Sequence, residues 1–392
     1  MAKQFDPRKV LQEVSNPLLQ EFFARRSKLR DVPWEKLGET DVEPVFEAWQ
    51  RMPEAEQVEV QLVLQDVNEL ADERGLPVLV DEVRCRAPDR MDELATVEGR
   101  HDKAIWVYLN VPQAFDEAAL FARADALAAG RYWVKRNSLP RLAITVDEAR
   151  RKSLGTSLSA YYWPAQMRGR HCHVEHYRRA NGTEYFFAYL DDYPDSRVVF
   201  DQAGRFEKRA DRYAFTNVFA YGPQDGALEL YAQGGRKVID PLQMLFCKAV
   251  LDLDVDPADP AKPVFNLDHL KDRGVPLPTD PADRIAEVQV RSLRFKVIGS
   301  PRRGITLDAD PQSFSGDIYQ MIDGYLNAKN LPLSQLTVVH VQFRLTFVHE
   351  GAGRAKGLTF NVGLHSCDLK SKPDEMRAIG ERCLKLWKVA ND

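Results

Sequence analysis

Two stretches near the end of the chain, VQVRSLRF at 288–295 and VQFRLTF at 341–347, share an alternation of apolar and polar residues that favours β-strands. Two further pairs of segments follow them in the same order and at similar spacing: RRGITLDAD (302–310) with RAKGLTFNVG (354–363), and DIYQMIDGYL (317–326) with DEMRAIGERCLKLW (374–387). Each copy therefore reads as a long strand, a basic hairpin tip, a shorter strand and an amphipathic helix. The pattern indicates that one ββα unit occurs twice in this chain.

Apolar residues at every second position, as at Val341, Phe343 and Leu345, bury one face of a strand and leave the other face in water. A two-stranded hairpin alone is only marginally stable in water. We therefore expect the two copies to share a four-stranded antiparallel sheet that has both helices on its apolar face. This duplicated ββα module is predicted to occupy residues 285–392.

The rest of the chain changes in character along its length, which predicts a multidomain α+β protein. Residues 1–150 place apolar residues at three- and four-residue spacing among charges and are predicted to be mainly helical and acidic, with a strand at 104–111 (AIWVYLNV). Residues 151–255 are rich in aromatic and β-branched residues, and an Asn-Gly pair at 181–182 predicts a hairpin within an antiparallel meander. Residues 256–284 are dense in Asp and Pro and are predicted to be a connector.

The composition predicts a cytoplasmic protein with more than one domain. The 392 residues are 44% hydrophobic, and the five cysteines form no C-x-x-C pair, as expected for a reducing compartment. The N-terminal residues contain no apolar segment of the kind found in signal peptides, and no stretch has the length of a membrane span. We therefore expect no membrane association.

Charge is distributed unevenly along the chain, although its net value is only −4. Residues 1–130 carry about ten more acidic than basic residues, whereas residues 284–392 carry about five more basic than acidic residues. A polyanion such as nucleic acid would therefore bind the C-terminal part, and the acidic N-terminal domain would contact a protein partner. Chance variation of solvated surface charge is the alternative explanation.

A set of basic residues in the duplicated module forms the main candidate site. The two predicted hairpin tips, residues 300–304 and 351–357, would lie at equivalent places in the module and would hold phosphate groups. The predicted nucleic-acid-binding residues are Arg291, Arg294, Lys296, Arg302, Arg303, Arg344, Arg354 and Lys356. Charged tips also keep sheet edges and turns soluble, and this second explanation stays open.

The densest group of metal-binding residue types is the segment HCHVEH at 171–176. Side chains alternate between the two faces of a strand, so His171, His173 and Glu175 would share one face and supply three ligands for zinc or iron. A polar face of an edge strand accounts for the same pattern. The sequence predicts no cofactor, and a divalent metal bound by these residues is the alternative.

The sequence contains no nucleotide-binding glycine motif, no H-E-x-x-H zinc motif and no G-x-S-x-G nucleophile motif. Its features favour a non-enzymatic binding or sensing factor whose basic C-terminal module contacts nucleic acid or an acidic partner, because that motif occurs twice at matching positions. One alternative is a metal-dependent hydrolase-like enzyme that uses His171, His173 and Glu175. A structural or assembly component of a multiprotein system is the other alternative.

Overall fold

The structure, a computed structural model, describes residues 5–38, 40–128, 132–200, 204–257, 263–309, 317–326, 331–348 and 357–390. Within these ranges it contains twelve α-helices and nine β-strands, and the strands form two antiparallel sheets. The α+β fold class predicted from the sequence is therefore confirmed. None of the described helices combines the length and the apolar character that crossing a membrane requires.

Eight helices form the N-terminal part of the described chain, as predicted. They are α1 (Pro7–Glu13), α2 (Asn16–Arg25), α3 (Glu43–Gln50), α4 (Glu54–Leu70), α5 (Gly75–Arg86), α6 (Met91–Thr96), α7 (Arg100–Asn110) and α8 (Pro112–Ala128). Helix α4 illustrates their pattern, because its residues Val60, Leu64 and Val67 recur at helical spacing and are buried. Glu54 and Glu59 of the same helix are exposed. The apolar stripe therefore faces the core and the acidic residues face water.

Helix α7 occupies the segment AIWVYLNV, for which the sequence predicted a strand. Helices α2, α4 and α5 all pack against it, and Ala104, Ile105 and Leu109 are buried. The buried residues Ile105, Val107 and Leu109 recur at every second position of this segment, a spacing that is also typical of a strand. The prediction of a strand was wrong for this reason.

A five-stranded antiparallel sheet follows the helical part. Its elements and the helices next to them are β1 (Trp133–Arg136), α9 (Glu148–Gln166), β2 (Cys172–Arg178), β3 (Glu184–Phe200), β4 (Phe206–Gly222), β5 (Ala227–Tyr231) and α10 (Arg236–Leu251). The strand order is β1-β5-β4-β3-β2, so β2 to β5 form the predicted meander and β1 extends it at β5. The predicted turn lies between β2 and β3, where Gly182 has a φ of 83° and Thr183 N–H donates to Asn181 Oδ1 at 3.0 Å.

The C-terminal part forms the predicted four-stranded sheet with two helices. Its elements are β6 (Ile285–Val297), β7 (Ser300–Asp308), α11 (Ile318–Tyr325), β8 (Leu336–Phe347), β9 (Gly357–Gly363) and α12 (Asp374–Leu386). Neighbouring strands are antiparallel, in the order β7-β6-β8-β9. Trp387, just after α12, packs on Phe343 of β8 with 4.8 Å between ring centroids, and Ile322 of α11 is buried in the same core. Burial of this apolar surface holds both helices against the sheet.

Close packing groups the described residues into two compact units, each of which contains segments that are distant in sequence. The described residues within 1–125, 159–185 and 189–215 form the first unit, and those within 126–158, 186–188 and 216–392 form the second. The domain boundaries predicted near residues 150, 255 and 284 stay predictions.

Candidate nucleic-acid interface

The four-stranded sheet of the C-terminal module has one polar face, on the side of the sheet away from its apolar core. We name this side the outer face. Along β8 the side chains of Val341, Phe343 and Leu345 are buried, whereas those of Gln342 and Arg344 are partly exposed. Cross-strand partners of these polar residues extend the outer face over the other three strands. The described residues of the outer face include Gln289, Ser292, Arg294, Lys296, Thr306, Asp308, His340, Gln342, Arg344, Thr359 and Asn361.

Strand register places Arg294 and Arg344 at equivalent positions of the two copies. Arg294 of β6 lies opposite Thr306 of β7, and Arg344 of β8 lies opposite Thr359 of β9. The cross-strand pair of Ser292 and Gln342 lies midway between the pair that contains Arg294 and the pair that contains Arg344. At about 3.3 Å per residue, the Cα atoms of the two arginines are therefore roughly 13 Å apart along the strands. The duplication thus presents the same cation twice on one surface.

The arginines of the outer face differ in their contacts with the described residues. Arg294, Arg303 and Arg344 form no ion pair with any carboxylate of the described residues. A Cβ atom at Gly357 would lie 3.6 Å from Arg344 Nη2, so the guanidinium of Arg344 extends over the backbone of β9. Arg291 differs, because its Nη1 donates to a backbone carbonyl just beyond β7 at 3.3 Å. We therefore place Arg294 and Arg344 at the centre of the candidate interface and Arg291 at its edge.

His340 lies directly across from Arg294 on the outer face. Burial lowers the pKa of His340, and the charge of Arg294 lowers it further, against the opposing effects of Asp368 and Asp308. The imidazole is therefore neutral near pH 7 and carries one hydrogen-bond donor and one acceptor.

A chain of hydrogen bonds fixes the amide side chains in the middle of the outer face. Gln342 Nε2 donates to Asn361 Oδ1 at 3.1 Å, and Asn361 Nδ2 donates to Asp368 Oδ2 at 2.9 Å. Asn361 N–H also donates to Asp368 Oδ1 at 2.8 Å. Such a network orients amides for hydrogen bonding to a ligand. His340, Gln342 and Asn361 were missed as site residues, because polar residues at alternate positions are typical of any solvated sheet face.

The basic tip predicted at residues 300–304 is not the turn of its hairpin. The chain turns at residues 298 and 299, where Gly299 has a φ of 78°, and β7 begins at Ser300. Val297 pairs with Ser300 while the residue before it pairs with Gly304, so residues 301–303 form a bulge in β7. This bulge contains a proline, which has no N–H group for the strand ladder.

The other predicted basic residues of the two tips have different outcomes. Arg303 is exposed in the bulge. The side chain of Arg302 and the whole of Arg354 and Lys356 lie outside the described residues. Lys296 lies on the outer face beside the bulge, where a Cβ atom at Gly304 would be 3.6 Å from its Cδ. Phosphate contact by any of these residues stays a prediction.

The predicted metal ligands lie at the beginning of β2. His173 Nε2 is 3.7 Å from Glu175 Oε1, whereas His171 Nδ1 is 3.7 Å from Asp191 Oδ1, and both histidines are largely exposed. Glu175 also accepts hydrogen bonds from two tyrosine hydroxyls at 3.3 and 3.4 Å. In the part of the chain that the structure describes, no group of three or more His, Cys, Asp or Glu side chains gathers around a common metal position. Zinc or iron binding stays a prediction that metal analysis of the purified protein would test.

No protein-family model matches this chain. No curated protein sequence and no solved structure is significantly similar to it. The function of the outer face therefore has to follow from its residues and their register.

A buried ion pair that no local sequence pattern indicated lies at the turn between β2 and β3. Arg179, just after β2, is 6% exposed and donates two hydrogen bonds of 2.8 Å to the carboxylate of Asp125 in α8. Glu82 of α5 is fully buried and accepts a hydrogen bond of 2.9 Å from Ala180 N–H. These contacts hold the turn against the two helices, and we assign them to the stability of the fold.

Proposed function

We propose that this protein is a non-enzymatic binding factor whose C-terminal module contacts nucleic acid through the outer face of its sheet. The observation that carries the proposal is the equivalent placement of Arg294 and Arg344 on a polar face. Arginine binds phosphate oxygens through its charge and its planar set of N–H donors. Two such residues at a fixed separation suit a regular chain of phosphates better than a single anion.

The neutral side chains between the arginines support contact with the rest of a nucleotide. Gln342 and Asn361, which lie opposite each other midway between the two arginines, are partly exposed and supply both donors and acceptors, whereas the neighbouring Ser292 is buried. Phosphate contacts position a nucleic acid, while groups of this kind bond to base edges and ribose hydroxyls. Among the outer-face residues named above His340 alone has an aromatic ring, and that ring is partly buried, so base stacking has little platform there. We therefore expect binding that rests on charge and hydrogen bonds and weakens strongly with salt.

Fluorescence anisotropy with labelled single-stranded RNA and duplex DNA, over a range of salt concentrations, tests this proposal. The double variant Arg294→Gln/Arg344→Gln should reduce the slope of log K against log salt by about 1.4 to 1.8, because each lost phosphate contact removes about 0.7 to 0.9. Arg51→Gln, at an exposed arginine of the N-terminal helices, is the matched control and should leave the slope unchanged.

Circular dichroism should first establish that the double variant is folded. A folded double variant with the wild-type slope would contradict the proposal. Binding of a polyglutamate peptide, without binding of either nucleic acid, would instead assign the outer face to an acidic protein partner.

A further inference from the structure

A second surface with the character of an interface lies on β3. We name residues 193–200 the β3 edge. Where β3 runs beside β2 and the segment before it, Asp191 N–H donates to His171 O at 3.3 Å and Asp191 O accepts from Gly169 N–H at 2.7 Å. Beyond Asp191, β3 has no further strand partner on that side among the described residues. An unpaired strand edge presents N–H and C=O groups that pair readily with another chain.

Backbone alternation determines which groups the β3 edge presents. The N–H and the C=O of Asp191 both point to the side of β3 on which β2 lies, so the N–H and C=O groups of every second residue after it point to the same side, where no described strand follows. Consistent with this, Tyr193 N–H bonds to the side chain of the preceding residue at 2.9 Å. Asp195 and Arg197 follow at the same spacing and face outward. Pro194, which has no N–H, falls between outward-facing residues and removes no donor from this edge.

The β3 edge also exposes large apolar side chains. Val198 and Phe200 are 57% and 71% exposed, and Phe206 at the start of β4 packs on Phe200 yet remains 60% exposed. Covering such surface is favourable. A ribbon of two strands is also only marginally stable in water, so added strands would stabilise this part of β3 and β4.

We propose that the β3 edge pairs antiparallel with the β3 edge of a second copy of this chain, about a two-fold axis at Ser196. In this register Asp195 of each copy lies opposite Arg197 of the other, and Pro194 lies opposite Val198. Moving the axis by one residue puts Asp195 or Arg197 opposite itself, and like charges in that position repel. Within each chain Arg197 Nε already lies 3.1 Å from Asp195 Oδ2. The register sets the ion pairs of the two copies side by side, with each charge opposite its counter-charge, and this complementarity favours a second copy as the occupant and fixes the register.

The proposed contact is short, because only a few residues of each strand pair. Its area is smaller than that of permanent dimers, so a reversible equilibrium between monomer and dimer is expected. The β3 edge and the outer face share no residue, so a chain that dimerises but binds no nucleic acid would contradict only the proposed function.

A cysteine at the two-fold position tests the geometry directly. Ser196→Cys brings two thiols together on strands whose opposite Cα atoms are roughly 4.5 to 5.5 Å apart, so mild oxidation should give a covalent dimer. Ala55→Cys, at an exposed position of helix α4 and away from any strand edge, is the control. The wild-type chain measures any covalent dimer that forms through the exposed Cys85. A covalent dimer no more abundant for Ser196→Cys than for Ala55→Cys would overturn the proposal.

An exchange of charges tests the register. Asp195→Arg sets like charges opposite each other twice, so the dimer measured by analytical ultracentrifugation should weaken by about tenfold. The double variant Asp195→Arg/Arg197→Asp should restore it. Asp81→Arg makes the same change in helix α5, where Asp81 pairs with Arg84 of its own chain, and should leave the dimer unchanged. A wild-type chain that stays monomeric at all concentrations, or a double variant as weak as the single one, would refute the pairing.

Discussion

Arg294 and Arg344 hold equivalent places in the two halves of the C-terminal module, because each lies directly opposite a threonine of the neighbouring outer strand. On their other sides, Arg294 lies opposite His340 and Arg344 lies opposite Gln289. The repeated unit therefore does two things: it completes a sheet that one hairpin could not form alone, and it places two cations on one surface.

Equivalent placement predicts equivalent effects of single substitutions. Arg294→Gln and Arg344→Gln should each lower the salt slope of nucleic-acid binding by about 0.7 to 0.9, and the two effects should add. Arg294→Lys should retain the slope but bind more weakly, because lysine keeps the charge and loses the planar pair of donors. Anisotropy titrations at several salt concentrations measure both quantities. A slope that responds to one arginine alone would show that the two halves do not share a ligand.

Protonation of His340 should destabilise the fold. Burial and the charge of Arg294 hold the folded-state pKa of His340 below its ordinary value of 6.5, so the unfolded chain binds more protons just below that pH. The free energy of unfolding should therefore fall as the pH falls from 6.5 toward the lower folded-state pKa. His340→Gln should reduce this fall in urea unfolding experiments. His171→Gln, at an exposed position, is the control and should show the same loss of unfolding free energy as the wild type. The same loss in His340→Gln would contradict the prediction.

Loss of the carboxylate at Asp125 should destabilise the protein strongly. Asp125→Asn leaves the buried guanidinium of Arg179 without its counter-charge, which costs about 3 to 5 kcal/mol of unfolding free energy. Glu47→Gln removes one partner of the exposed pair between Glu47 and Arg51 and should cost less than about 1 kcal/mol. Urea unfolding at neutral pH compares the two variants. A similar small loss in both would mean that water reaches the guanidinium of Arg179.

Glu82→Gln should stabilise the protein at neutral pH. Burial raises the pKa of Glu82, and the hydrogen bond from Ala180 N–H and the charges of Arg86 and Arg179 offset only part of this effect. Glutamine keeps an acceptor for Ala180 and removes the buried charge, so the free energy of unfolding should rise.

The pH dependence of the Glu82→Gln effect provides its control. The folded-state pKa of Glu82 lies above its ordinary value of 4.5, so the wild type loses stability as the pH rises through the window between the two values. The gain from Glu82→Gln should therefore shrink as the pH is lowered toward 4.5. A loss of stability at neutral pH would instead show that Arg86 depends on this carboxylate.

Local pattern predicted the architecture of the C-terminal module but not the detail of its site. Alternation around Phe343 reflects burial of one sheet face and needs no information from elsewhere in the chain. Aligning VQVRSLRF with VQFRLTF from their first residues matches Arg291 with Arg344. In the structure the residue equivalent to Arg344 is Arg294, because the register shifts between Val290 and Ser292 and leaves Arg291 in a bulge. A bulge of one residue has no reliable sequence signal.

Contacts between distant residues were also beyond prediction. Asp125 and Arg179 are 54 positions apart, and Glu82 and Ala180 are 98 positions apart. Helix α7 shows the same limit, since neighbouring helices bury Ile105, Val107 and Leu109, whose spacing of two residues is typical of a strand.

The anchored turn between β2 and β3 restricts how this chain can be divided for expression. A fragment that ends before residue 179 would carry the carboxylates of Glu82 and Asp125 without their donors. A fragment that begins after α8 would leave the guanidinium of Arg179 with no acid to neutralise it. Limited proteolysis should therefore release the N-terminal helices and this hairpin as a single resistant piece.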